Sequence, residues 1–149
     1  MPRSSPELPA SRPPRVVVEN VSPEVDAGRF PIKRVVGEEV EVRADIHADA
    51  HDEIAALLRY RKLAERAWTE LPMEALGNDA WRASFRVSAL EPYRYTVEAW
   101  VDRFGTWRRD LLKKVRAGVN EGVDLLVGAE LVSETAARAR GADAEALVA

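Results

Sequence analysis

The sequence contains no cysteine. That excludes a disulfide framework, a thiol nucleophile and a cysteine-ligated zinc site. Its eight glycines are scattered, and neither G-x-G-x-x-G nor G-x-x-x-x-G-K-[ST] occurs, so there is no phosphate-cradling loop. No serine sits in a G-x-S-x-G elbow, which removes the usual context for a hydrolase nucleophile. Neither sign of charge dominates. The formal net charge is −3, giving no electrostatic case for nucleic acid or an anionic membrane as partner. The apolar runs, such as "RVVVE" and "LLVGA", fall far short of the roughly 20 residues that a membrane span requires. The lack of cysteine fits a cytoplasmic protein.

The 149 residues, 46% of them hydrophobic, suffice for one domain with a buried core, or for a domain plus a fragment. Residues 1–14, "MPRSSPELPASRPP", have no apolar stretch and are expected to form a disordered leader, not a signal peptide. "RVVVENV" is short, β-branched and bounded by prolines, as a strand should be. Val40, Val42, Ala44, Ile46 and Ala48 alternate with polar residues, which predicts a strand with one wet face. Trp81 to Ala89 and Tyr93 to Val101 alternate in the same way, with "GND" and "LEP" as turns. Strands at this spacing predict an antiparallel β-sandwich of the immunoglobulin or fibronectin type.

"DEIAALLRYRKLAERAW" reads two ways. Its Ala, Leu, Arg and Glu content leans towards helix, yet Ala56, Leu58 and Tyr60 also fit one face of a strand. From Val119 the pattern changes. Val123, Leu126, Val127 and Leu131 recur at helical spacing, interrupted by Gly128. Gly141 should stop this helix and Asp143 cap a short last one. Helices that break off in this manner are expected to be the start of something longer.

Candidate chemistry is thin. His47 and His51, the only histidines, stand about 13 Å apart if extended at about 3.3 Å per residue, too far to chelate one ion. Glu98 and Asp102 share a strand face and are better read as ion-pair partners of arginines than as an acid–base pair. No catalytic, cofactor-binding or metal-ligating residue is assigned. Of the four tryptophans, Trp81 falls on a core face, whereas Trp100 and Trp107 fall outside it. Those two suit a sugar platform, a protein interface, or a second small core beneath a C-terminal helix. Arg29, Lys33 and Arg34 form a basic loop able to meet a phosphate by charge-assisted hydrogen bonds.

The strings "VSPEVDAGRFPIKRVVGEEVEVRADI", "HDEIAALLRYR", "WTELPM" and "YRYTVEAWVDRFGTWRRDL" resemble the N-terminal domain of the α-1,4-glucan:maltose-1-phosphate maltosyltransferases, bacterial members of the α-amylase superfamily. The match runs from about Arg15 to about Leu131. G-R-F-P-x-K-R and Y-T-V-E-A-W-x-D-x-F-x-T-W carry most of its specificity. The resemblance implies a β-sandwich over residues 15–116 and the start of a truncated helical insertion over 117–149. It also makes "IAALLRYR" a strand. It implies a retaining transfer of maltosyl units from α-maltose 1-phosphate, carried out in a (β/α)₈ barrel that this chain lacks. The domain itself is then expected to serve homodimerisation and support of the barrel, or else to hold α-glucan as a carbohydrate-binding module. One departure is Ala50-His51-Asp52, where the family turn reads Gly-His-Asp; a positive φ there would strain Ala50.

Overall fold

The computed structural model describes residues 16–48, 52–119 and 122–148. Seven strands come first: β1 (Val16–Ser22), β2 (Glu39–Ala48), β3 (Ile54–Lys62), β4 (Thr69–Pro72), β5 (Glu74–Gly77), β6 (Ala80–Arg86) and β7 (Tyr93–Val101). Three helices follow: α1 (Arg103–Ala117), α2 (Gly122–Arg138) and α3 (Ala142–Val148). The strands form two antiparallel sheets, ordered β1-β2-β6-β5 and β4-β3-β7. That order is the A-B-E-D sheet of an immunoglobulin-type sandwich facing C′-C-F. The expected fold class is therefore what forms.

The core lies where period-two faces meet. β2 buries Val40, Val42, Ala44 and Ile46, and β3 buries Ala56 and Leu58 against them. Tyr60 of β3 stacks on Phe85 of β6 with ring centroids 4.4 Å apart, tying the two sheets together. The contested segment is thus a strand. It pairs with β7 through nine consecutive residues, from Ile54 opposite Val101 to Lys62 opposite Tyr93. Helix propensity, worth tenths of a kcal/mol per residue, loses to that ladder and to the burial of Leu58.

The chain changes sheet at two corners. Met73, buried between β4 and β5, donates its backbone N–H to the Ala56 carbonyl at 2.9 Å as the strand crosses over. Between β6 and β7, the Tyr93 hydroxyl accepts from the backbone N–H groups of Ser88 and Ala89, both at 3.1 Å. This is a tyrosine corner of the immunoglobulin type. The β5–β6 hairpin turns through Asn78 and Asp79, within the turn expected at "GND", with φ of 50° and 63° as a type I′ turn requires.

Several boundaries differ from the sequence expectation. β4 and β5, four residues each, carry too little alternation to be seen. Helix begins at Arg103, not Val119, so the sandwich ends at Val101 and the boundary drawn at 116–117 falls at the C-terminal end of α1. The aromatic residues that open α1 continue the look of a strand, but Asp102 stops it. Its carboxylate accepts from the Gly105 N–H at 2.8 Å, capping the helix. α2 runs unbroken through Gly128 and ends before Gly141 (φ 62°), as expected. Asp143 lies inside the first turn of α3, not at its cap.

Candidate functional site

The basic loop is well defined. After β1, Asp26, Ala27 and Gly28 adopt successive left-handed conformations (φ 50°, 52° and 78°), and Val25 bridges to Phe30 across the turn. The Tyr95 hydroxyl of β7 donates to the Pro23 carbonyl and pins the start of the loop. Burial pushes the Tyr95 phenol above its ordinary pKa. Between this loop and the β6–β7 corner lies a cavity of 870 Å³. Arg29, Lys33 and Arg34 line it over Phe85, Tyr93 and Tyr95, and Arg94 adds a fourth cation. Arg34 pairs with Glu38 at 3.5 Å and Arg29 with Asp26 at 3.7 Å. Lys33 has no ion-pair partner among the described residues. These are exposed charges around an aromatic floor, suited to binding an anion or a docking surface.

The outer face of the three-stranded sheet holds a second constellation. Trp100 projects from β7 and is 45% exposed. Further along, Arg59 and Arg61 of β3 pack on the Trp68 indole, with guanidinium carbons 5.4 and 4.9 Å from the ring centroid. Arg59 also bonds Glu98 of β7 at 2.5 Å and pairs with Glu70 of β4 at 3.1 Å. The Glu98 hydrogen bond holds the Arg59 guanidinium above its ordinary pKa, opposed by desolvation. Glu98 is thus an ion-pair partner, as anticipated. In the sequence Trp68 stands out only as one of four tryptophans; nothing local marks it as the neighbour of arginines on another strand.

Trp107 goes elsewhere. It lies in α1 beside Phe104 (centroids 5.2 Å apart), donates Nε1–H to the Asp124 carbonyl at 2.6 Å, and packs its six-membered ring over Gly128 of α2. Its ring belongs to the helix–helix contact, so Trp100 and Trp107 do not form one exposed platform. Asp102 is the α1 cap. The Asp110 pKa is lowered from its ordinary value, chiefly by the hydrogen bond from Arg109, which also reaches Glu53 at 2.7 Å. His47 lies on β2; Ala50 and His51 fall outside the described residues. Among the described residues no group of three His, Asp or Glu is placed to hold a metal ion. Among them, too, no helix is long and apolar enough to cross a membrane.

The molecule is an immunoglobulin-like β-sandwich carrying a helical extension from its last strand. Residues 14–149 match the family described as alpha-1,4-glucan:maltose-1-phosphate maltosyltransferase, domain N/S, and the chain belongs to that family. The maltosyltransferase of Chlorobaculum tepidum is 50% identical over 133 residues, covering 89% of this chain and 20% of that protein. That of Myxococcus xanthus is 47% identical over 131 residues, covering 85% and 20%. That of Methylacidiphilum infernorum is 39% identical over 133 residues. The resemblance read from G-R-F-P-x-K-R and Y-T-V-E-A-W-x-D-x-F-x-T-W holds. The chain spans about a fifth of the length of these curated relatives.

Proposed function

We propose that this chain is the non-catalytic N-terminal module of a cytoplasmic maltosyltransferase of the α-amylase superfamily. Such an enzyme extends α-1,4-glucans from α-maltose 1-phosphate. The module's work is to join two copies and to brace a catalytic (β/α)₈ barrel absent from these residues. The observation that supports this reading is the apolar surface left on the helices. Val123 and Leu126 of α2 are 75% and 71% exposed, with Val127 beside them, and α1 leaves Phe104, Leu112 and Val115 exposed. Contiguous apolar side chains in water are characteristic of a surface that another surface covers. The cations Arg29, Lys33 and Arg34 and the exposed Phe30 would form a second contact region at the opposite kind of surface, basic and aromatic.

Sedimentation velocity over a range of concentrations tests the reading. A concentration-dependent dimer is expected, and a monomer at every concentration sinks the dimer role. Incubated with α-maltose 1-phosphate and an α-glucan, the chain should release no phosphate; turnover would overturn the non-catalytic assignment. A second reading has the sandwich itself hold α-glucan, and the exposure of Trp100 favours it.

A further inference from the structure

We propose that the free edge of β7 is a strand-addition site, filled by an extended segment from a later part of the same polypeptide, apolar on its inward side and acidic on its outward side. The choice of that occupant rests on the reading of this chain as a module of a longer enzyme; the availability of the edge does not.

The two sheets have four edge strands, β1, β5, β4 and β7, and three of them are blunted. β1 shifts register between Glu19 and Ser22, where Asn20 is left-handed (φ 51°). β4 and β5 have four residues each; β4 ends on Pro72 and β5 shifts register before Gly77. Bulges, proline and shortness are the usual means of keeping an edge from pairing. β7 has none of them. Its nine residues pair with β3 in unbroken register, and the sheet order leaves its other side free. Among the described residues no backbone group outside β3 bonds the backbone of residues 93–101. A row of unpaired N–H and C=O groups is a template for a further strand.

Burial points the same way. The core-facing Val40, Val42, Ala44 and Ile46 of β2 are all buried, whereas Tyr93, Tyr95, Val97, Ala99 and Val101 of β7 are each only half-buried. The 870 Å³ cavity accounts for the difference. Four successive β7 residues, Arg94 to Val97, line it, and it reaches Val40 and Phe85 of the core. Successive strand residues point to opposite faces, so a cavity that touches all four lies along the strand's edge. In immunoglobulin-type topology the place beside strand F belongs to strand G, the next in chain order. β7 is strand F here, and the chain leaves it for α1 at the Asp102 cap instead of returning along that edge.

Charge defines the occupant further. Arg94, on the outward side of β7, and Lys33 of the loop both line the cavity without an ion-pair partner among the described residues. Arg29 and Arg34 add two more cations, met by exposed pairs with Asp26 and Glu38. Glu24 and Glu91 line the cavity too, and the cations outnumber them. Acidic side chains facing outward from the added strand would meet this excess, and apolar ones facing inward would cover Val97 and Phe85.

Hydrogen exchange of residues 93–101, compared between the 149-residue chain and the full-length protein, tests the proposal. In the 149-residue chain the amides facing the free edge should exchange within minutes, while those bonded to β3 stay protected. In the full-length protein that fast class should slow by at least about a hundredfold. Arg94→Glu combined with Lys33→Glu should speed it again by about tenfold, and leave the melting of the 149-residue sandwich unchanged. A fast class equally large in both proteins would overturn the proposal. So would protection lost on dilution to monomer, which assigns the strand to a second copy, and protection untouched by the double substitution, which removes the acidic strand. The sedimentation and phosphate-release measurements judge the parent reading separately, because neither reads the β7 amides.

Discussion

Gly128 is the residue on which the helical extension turns. A Cβ built there would lie 2.0 Å from Trp107 Cζ2 and 2.5 Å from Cε2. Alanine in a helix is worth about 1 kcal/mol over glycine, but overpacking costs about 1–3 kcal/mol. The indole cannot retreat without stretching its 2.6 Å bond to the Asp124 carbonyl. The clash should win. Gly128→Ala is expected to destabilise the α1–α2 contact by about 1–2 kcal/mol, read as a lower thermal midpoint of the helical signal. Tyr95 plays the matching part for the basic loop. Tyr95→Phe removes the donor to the Pro23 carbonyl and should cost about 1 kcal/mol. It should also alter the alkaline limb. The folded Tyr95 pKa is raised by burial, so its contribution is present below the ordinary phenol value near 10 and is lost as pH rises through the folded pKa. Denaturation followed between neutral pH and about pH 11 should therefore show a steeper alkaline loss in the parent than in Tyr95→Phe.

At the scale of elements, α1 is attached to the sandwich by polar contacts, and no residue of it is fully buried. Asp102 N–H donates to the Glu53 carbonyl at 2.8 Å, Glu53 N–H donates to Thr106 Oγ1 at 2.9 Å, and Arg109 joins the Glu53 and Asp110 carboxylates. Asp102→Ala should cost about 1 kcal/mol and speed hydrogen exchange in the first turn of α1 while leaving β2 and β3 protected. The anchor should also respond to acid. Asp110 has its pKa depressed first by the hydrogen bond from Arg109, so its stabilising contribution is present above the ordinary carboxylate pKa and fades as pH falls through the folded value. Protection in α1, corrected for the slower intrinsic exchange in acid, should then fall on acidification before protection in the strands does, and Arg109→Ala should remove that difference. If α1 and β3 lose protection together, the helix is not a separate unit.

Across the whole molecule, the two halves are stabilised by different means. The sandwich is closed by Val42, Ile46 and Leu58, all at 1% exposure or less. Among the described residues the helices bury only Gly128 fully, and they turn Leu125 and Leu126 outwards. A sandwich with its own core is stable alone, whereas an extension with this much apolar surface needs cover. Replacing Leu126 with glutamate adds a charge to that surface without touching the sandwich. Leu126→Glu should convert the proposed dimer to monomer in sedimentation and leave strand melting within about 0.5 kcal/mol. A dimer that survives the substitution would place the contact elsewhere, with the basic loop as the next surface to mutate.

The strands that alternate strictly were legible from sequence. Period two alone puts Val40, Val42, Ala44 and Ile46 on one side of β2, and burial of that side follows whatever the partner is. The caps and turns at Asn78, Asp79 and Gly141 were legible for the same local reason, since backbone preference belongs to the residue. The family was legible too, because long aromatic strings are themselves local. What remained open depended on residues far apart in the chain. Ile54 to Lys62 is a strand because β7, some forty residues on, supplies its ladder. Trp107 is covered because Gly128 leaves room for its ring, and Trp68 becomes part of a face because two arginines of another strand pack against it. A side chain's own chemistry decides whether it prefers water; only the tertiary fold decides which neighbour, if any, keeps the water away.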